Sequence, residues 1–169
     1  MAQPSVWGGI DRPSTQRYCW VVIPGHDKDG QLPPGVHQAT WDELRVRFGD
    51  GPQRARLLAG LYRAARSLKS AGALTLYVDG SFVSTKENPS DFDGCWEPAG
   101  VSLSKLDPVL LDFSNGRLAQ KVKYGGELFP SSNCAELHSP RRTFLDFFQS
   151  DKQTGKPKGI VAIDLRRLP

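Results

Sequence analysis

Apolar and polar positions alternate differently in different parts of this chain, and the change of period divides it into elements. Over 52–72, "PQRARLLAGLYRAARSLKSAG", Leu57, Leu61, Ala64 and Leu68 recur at helical spacing with Leu58 and Ala65 beside them, while Arg54, Arg56, Arg63, Arg66 and Lys69 take the other faces. Pro52 suits the first helical turn and Gly72 the stop. The stripe is read as core, and the arginines as a solvated face. A shorter helix is expected in "TWDELRVRFG", where Thr40 can cap, Glu43 completes a capping box and Gly49 ends the turn.

Period-two or continuous apolar runs predict strands at "RYCWVVI" (17–23), "ALTLYV" (73–78), "SDFDGCW" (90–96), "GELFP" (126–130) and "KGIVAIDL" (158–165). The intervening "PGHDKDGQLPPGVHQA", rich in Gly and Pro, reads as loop, with His26 and His37 as polar loop residues. Its "DKDG" lacks the closing glutamate of a calcium loop. Residues 101–124 read mainly as helix, broken near Asn115-Gly116. "SPRRTFLDFFQS" reads as helix from Ser139 and Pro140. Strands alternating with helical segments predict an α/β (α+β) class, a mixed sheet with helices packed on it. Residues 1–16 are expected to be a loose N-terminus and 17–169 a single domain.

Composition narrows this picture. The 169 residues are 38% hydrophobic and 24% charged, and no apolar run is long enough to span a membrane. Three cysteines, Cys19, Cys95 and Cys134, fit neither a disulfide framework nor a zinc spacing. With no secretory pattern at the N-terminus, a cytoplasmic location is expected. The net charge of +4 is uneven. Residues 71–140 carry 9 acidic against 5 basic side chains, while both flanking stretches are basic. An acidic centre suits a divalent cation, and basic flanks suit phosphate-bearing partners.

The candidate chemistry lies in "GSFVSTKENPSDFDGCW" (80–96). Asp91 and Asp93 are two apart on a predicted strand, so their carboxylates share a face. A bare pair repels; a hard divalent cation turns it into a ligand set. Gly80 allows close approach to a phosphate, and Ser81 offers a hydroxyl and an N–H. The Gly80-Ser81 pair, nine residues and Asp91-Phe92-Asp93 together resemble the signature of the DNA polymerase β-type nucleotidyltransferase superfamily. "LYVDGSFVSTKENPSDFDGCW", "LPPGVHQATWDELRVRFG" and "KGIVAIDL" look most like its minimal bacterial branch, over roughly residues 30–165.

That resemblance implies a nucleotidyltransferase-like mixed sheet, Mg²⁺ or Mn²⁺ as cofactor, and transfer of a nucleoside monophosphate from an NTP to a hydroxyl. The small size favours a macromolecular acceptor, tRNA or protein, and related minimal members occur in toxin–antitoxin pairs, so a cognate toxin or antitoxin partner is a further expectation. Asp91, Asp93 and a third carboxylate would bind metal and carry catalysis. Glu127 fits the family order best, with Asp164 and Asp112 as competitors. Gly80, Ser81 and Lys86 would meet the nucleotide. Lys121 and Lys123 could reach phosphates. Lys152, Lys156 and Lys158 form a basic loop, and Trp96 and Tyr124 are read as core. The alternative is a catalytically inactive binding or regulatory module acting through a protein partner.

Overall fold

The computed structural model describes residues 23–136 and 141–169. The expected strand at 17–23 therefore lies, except for Ile23, outside the described residues, as do Cys19, Ser139 and Pro140.

Five strands form one mixed sheet: β1 (Gly35–Ala39), β2 (Thr75–Asp79), β3 (Phe92–Trp96), β4 (Gly126–Pro130) and β5 (Gly159–Asp164), in the spatial order β1-β5-β2-β3-β4. β1 runs parallel to β5, and β3 parallel to β4. The central β5–β2 and β2–β3 pairs are antiparallel. The helices are α1 (Trp41–Phe48), α2 (Pro52–Ala71), α3 (Leu118–Tyr124) and α4 (Phe144–Phe148). The chain is thus an α+β domain with helices on a mixed sheet.

Alternation along the strands decides which face each helix covers. Leu76, Val78, Phe92, Trp96, Leu128, Val161 and Ile163 project to one side. There they pack with Trp41, Leu44 and Phe48 of α1 and the Leu57–Leu61–Ala64–Leu68 stripe of α2. The other side carries a smaller cluster of Cys95, Ile160 and Phe148, with Tyr77, Phe129 and Phe144 against it. Gly60 lets α2 touch the end of α3, since a Cβ there would strike the Tyr124 carbonyl.

The α1 capping box forms as expected, with Thr40 N donating to Glu43 Oε2 at 2.7 Å and Glu43 N to Thr40 Oγ1 at 3.2 Å. Pro52 opens α2, and Gly72 closes it by donating to the Leu68 and Lys69 carbonyls. Four sequence expectations are corrected. Residues 35–39 form an edge strand rather than loop, because pairing with β5 supplies hydrogen bonds that local propensity does not reveal. His37 lies on that strand, its Nε2 2.7 Å from the Pro33 carbonyl.

Residues 101–124 are mostly not α-helix. Asp107 caps a 3-10 turn at Pro108–Leu111, and Asn115, Gly116 and Arg117 all take positive φ, so only Leu118–Tyr124 is α-helical. Asp112 therefore sits in a surface loop, 2.6 Å from the Ser114 hydroxyl, rather than on a helix. The last helix begins only after Thr143, whose side chain accepts from Asp146 N in a second capping box. Finally, β3 starts at Phe92, which leaves Asp91 in the connection just before the strand.

Candidate functional site

The register of three neighbouring strands builds the site. Asp79, the last residue of β2, pairs with Asp93 on β3, and Asp93 pairs with Glu127 on β4. Residues paired across strands project to the same face, so three carboxylates form a row at one end of the sheet. They share the face of Tyr77, Cys95 and Phe129, away from α1 and α2. Asp91, two residues before Asp93, adjoins the row and accepts from the Ser90 hydroxyl at 2.9 Å.

Each member of the row has a different environment. Asp79 is buried and bonded to the ammonium of Lys158, itself buried. Burial drives the Asp79 carboxyl upward, and the Lys158 charge and Gly80 N–H oppose that shift. Glu127 is buried and engages two cations. Arg117 Nε donates to Oε2, and Lys121 Nζ lies 2.8 Å from Oε1. Burial alone would raise Glu127, but the bonds from Arg117 and Lys121 outweigh it and hold the carboxyl below its ordinary range.

Asp93, in the middle, has no hydrogen-bond donor among the described residues. Burial pushes its pKa up to about 6. Lys152 opposes the shift, while the charges of Asp91, Asp79 and Glu127 add to it.

The Gly80-Ser81 turn leads directly away from this row. Gly80 has φ +81°, and a Cβ there would collide with the Asp93 carboxylate, so the turn and the acid are packed together through a residue with no side chain. Ser81 opens a 3-10 turn to Val83, and its carbonyl accepts from Ser84 Oγ at 2.8 Å. Arg54 of α2 fastens the chain beyond this turn. Its guanidinium donates to the carbonyls of Phe48, Phe82, Ser84 and Lys86 at 2.6–3.3 Å.

The structure thus brings Gly80, Ser81, Asp91, Asp93 and Glu127 to one end of the sheet. Lys86 is exposed and lines a separate cleft with His26, Arg47 and Phe48. Asp164 ends β5 opposite Thr75, the first residue of β2, so it stands at the other end of the sheet, paired with Arg166 at 2.8 Å. Asp112, bonded to Ser114, is in its surface loop.

Lys121 meets Glu127, whereas Lys123 pairs with Asp107. Lys158 is no loop lysine: it is buried against Asp79. Lys152 is exposed above Phe147, and Lys156 lies 3.6 Å from Asp29. Trp96 and Tyr124 are buried in the main core.

Sequence reasoning passed over Asp79 and Arg117, and it placed Arg54 on a solvated face, whereas Arg54 is half-buried and bonded to four carbonyls. The "YVDGS" run placed an acid immediately before the phosphate-type turn, which was a usable signal for Asp79. Arg117 and Arg54 had none, since their partners are 10 and up to 32 residues away.

Chemically, the donor set is a row of hard oxygens with cations at both ends. Asp91 and Asp93 are the carboxylates here that no Lys or Arg ion-pairs among the described residues; Asp79 and Glu127 are already neutralised. Among the described residues, no group of three or more His, Cys, Asp or Glu is disposed to hold a metal ion. No described helix is long and apolar enough to cross a membrane.

Fold and site together define a small α+β domain with an acidic row beside a Gly-Ser turn. The chain belongs to the family described as a family of unknown function (DUF6932), which matches residues 24–164 and so spans the sheet and the whole site. No curated protein and no solved structure matches the chain.

Proposed function

We propose that the protein is a metal-dependent nucleotidyltransferase. Asp91 and Asp93 would hold Mg²⁺ or Mn²⁺, and Gly80 and Ser81 would receive the phosphates of an NTP. The hydroxyl oxygen of a macromolecular acceptor, tRNA or protein, bonds to the α-phosphorus as the bond to the pyrophosphate oxygen breaks, and the hydroxyl proton leaves to a base. The bound cation would supply charge neutralisation on the phosphate oxygens. The chain's own part is positioning: the turn approaches phosphate through a bare backbone, and the row supplies oxygens aimed to one side.

The observation that carries this reading is Asp93, a half-buried carboxylate next to three others with no donor of its own among the described residues. Such an arrangement costs free energy in the empty protein and is relieved by a cation. Glu127 enters this reading as a neighbour of the pair. With its carboxyl held low it is a weak base, so the acceptor's proton is better matched to a group near neutrality.

The test is incubation with each labelled NTP, Mg²⁺ or Mn²⁺, and total tRNA or cell lysate. Label should pass to an acceptor with the wild type and be lost by at least about 100-fold in Asp91→Ala and Asp93→Ala. Undiminished transfer by the double variant would sink the reading.

A second reading, a nucleotide-binding module that acts through a protein partner without turnover, is favoured by one observation. The acid expected to complete the catalytic set, Glu127, is already neutralised by Arg117 and Lys121. Under it, NTP is retained but no acceptor is labelled.

A further inference from the structure

We infer that Arg117 and Lys121 form an anion clamp for the polyphosphate of a nucleotide, and that Glu127 is the positioning residue that holds the clamp open rather than a metal ligand. The inference deepens the nucleotide reading and rests on it for the ligand class, but it requires neither metal nor turnover.

The clamp is built. Gln120 of α3 accepts from Leu128 N at 2.9 Å, which fastens α3 along β4 at the edge of the sheet. The next residue, Lys121, is thereby carried to Glu127. Arg117 precedes the helix with φ +59°, in a run of three left-handed residues from Asn115. Side chains other than Gly adopt that region at a cost, and such strain is sustained where the surroundings fix it. Here the fixing contacts are Glu127 and the ring of Phe129, whose centroid lies 5.7 Å from the guanidinium carbon.

The donors are not used up. Arg117 gives Glu127 only its Nε–H, and among the described residues its two terminal nitrogens have no partner. Lys121 spends one of three N–H groups. Both side chains remain more than a third exposed, 37% and 39%, while Glu127 is at 7%. One buried carboxylate thus aligns two accessible cations and leaves an excess positive charge. Arg117 lies close enough to Asp93, and Lys121 to Asp91, for their charges to interact. An anion on the free donors would sit beside the aspartate pair. A guanidinium fork and an ammonium side by side suit phosphate oxygens.

The test separates the clamp from the metal pair. Binding of inorganic tripolyphosphate in the presence of EDTA is measured by calorimetry for the wild type, Arg117→Ala, Lys121→Ala and Lys123→Ala. Lys123→Ala removes the same charge from a residue committed to Asp107. Arg117→Ala and Lys121→Ala should each weaken binding about tenfold, as expected on losing a charge-assisted hydrogen bond. Lys123→Ala should change it by less than about twofold.

In parallel, Mn²⁺ binding is followed by paramagnetic resonance. Glu127→Gln should keep Mn²⁺ affinity within about threefold, and Asp93→Asn should lose it by about tenfold or more. Equal tripolyphosphate binding by all variants, no binding by the wild type, or loss of Mn²⁺ in Glu127→Gln overturns the clamp. Failure of the transferase reading looks different: no label transfer, with tripolyphosphate binding still dependent on Arg117 and Lys121.

Discussion

Asp93 on β3 stands in register between Asp79 on β2 and Glu127 on β4, and it is the one of the three without a cationic partner among the described residues. Its neighbours are neutralised by Lys158 on one side and by Arg117 and Lys121 on the other. The middle acid is therefore where the folded protein carries an electrostatic cost, and that cost has measurable consequences.

Stability should fall as Asp93 ionises. In the fold its pKa is raised to about 6, whereas an unfolded aspartate titrates near about 3.9. The stability that comes with the protonated form is complete below about pH 4 and is lost as pH rises towards 6. Asp93→Asn removes this dependence. Urea denaturation at pH 4, 5, 6 and 7 should show the variant gaining on the wild type through this window, by about 1–2 kcal/mol once solvent screening is allowed for, and levelling above it. A difference that stays flat with pH would remove Asp93 as the source.

The Asp79–Lys158 pair should be structural. Lys158→Met leaves a buried carboxylate unpaired and should cost about 3–5 kcal/mol, whereas the Asp79→Leu, Lys158→Met double variant should recover most of that loss. Denaturation of the four members of the cycle measures the coupling. Additive losses would mean that the two side chains do not depend on each other.

Arg54→Ala should release the segment after the Gly-Ser turn. One guanidinium holds four carbonyls there, and its loss should cost about 2 kcal/mol. Hydrogen exchange should quicken over 81–87 and not in α2. Arg54→Lys should rescue little, since a point charge cannot span carbonyls on both sides.

Gly80→Ala should fail on two counts. The backbone is at φ +81°, and the new methyl meets the Asp93 carboxylate. A loss of roughly 2 kcal/mol is expected, together with weakened Mn²⁺ binding, because the intruding group displaces Asp93. Normal thermal stability and normal Mn²⁺ affinity in this variant would show that the turn and the acid are independent.

Much of the local structure was legible because it is decided within a few residues. Thr40 and Glu43 are three apart, and their capping box forms as read. The Leu57–Leu68 stripe is buried as its period requires, and Gly125 closes α3 just before "GELFP" enters the sheet. The segment 101–124 breaks near Asn115-Gly116 as read, but its first part misled: 101–114 holds only the Asp107-capped 3-10 turn at Pro108–Leu111, which hydrophobic periodicity does not distinguish from helix. β1 misled for the opposite reason. Its residues have weak intrinsic preference and become a strand only through five register positions with β5, more than a hundred residues away.

The sequence by itself determined α1, α2, four of the five strands, the Gly80-Ser81 turn and the proximity of Asp91 to Asp93, because all of these rest on spacing along the chain. Tertiary structure decided what surrounds them. Strand register, which no local signal sets, aligned Asp79 and Glu127 with Asp93. Long-range contacts then paired Lys158 with Asp79 across 79 residues, and Arg117 and Lys121 with Glu127 around a chain reversal. Charge neutralisation depends on distance in space, so only the folded chain could select which carboxylate is left without a partner.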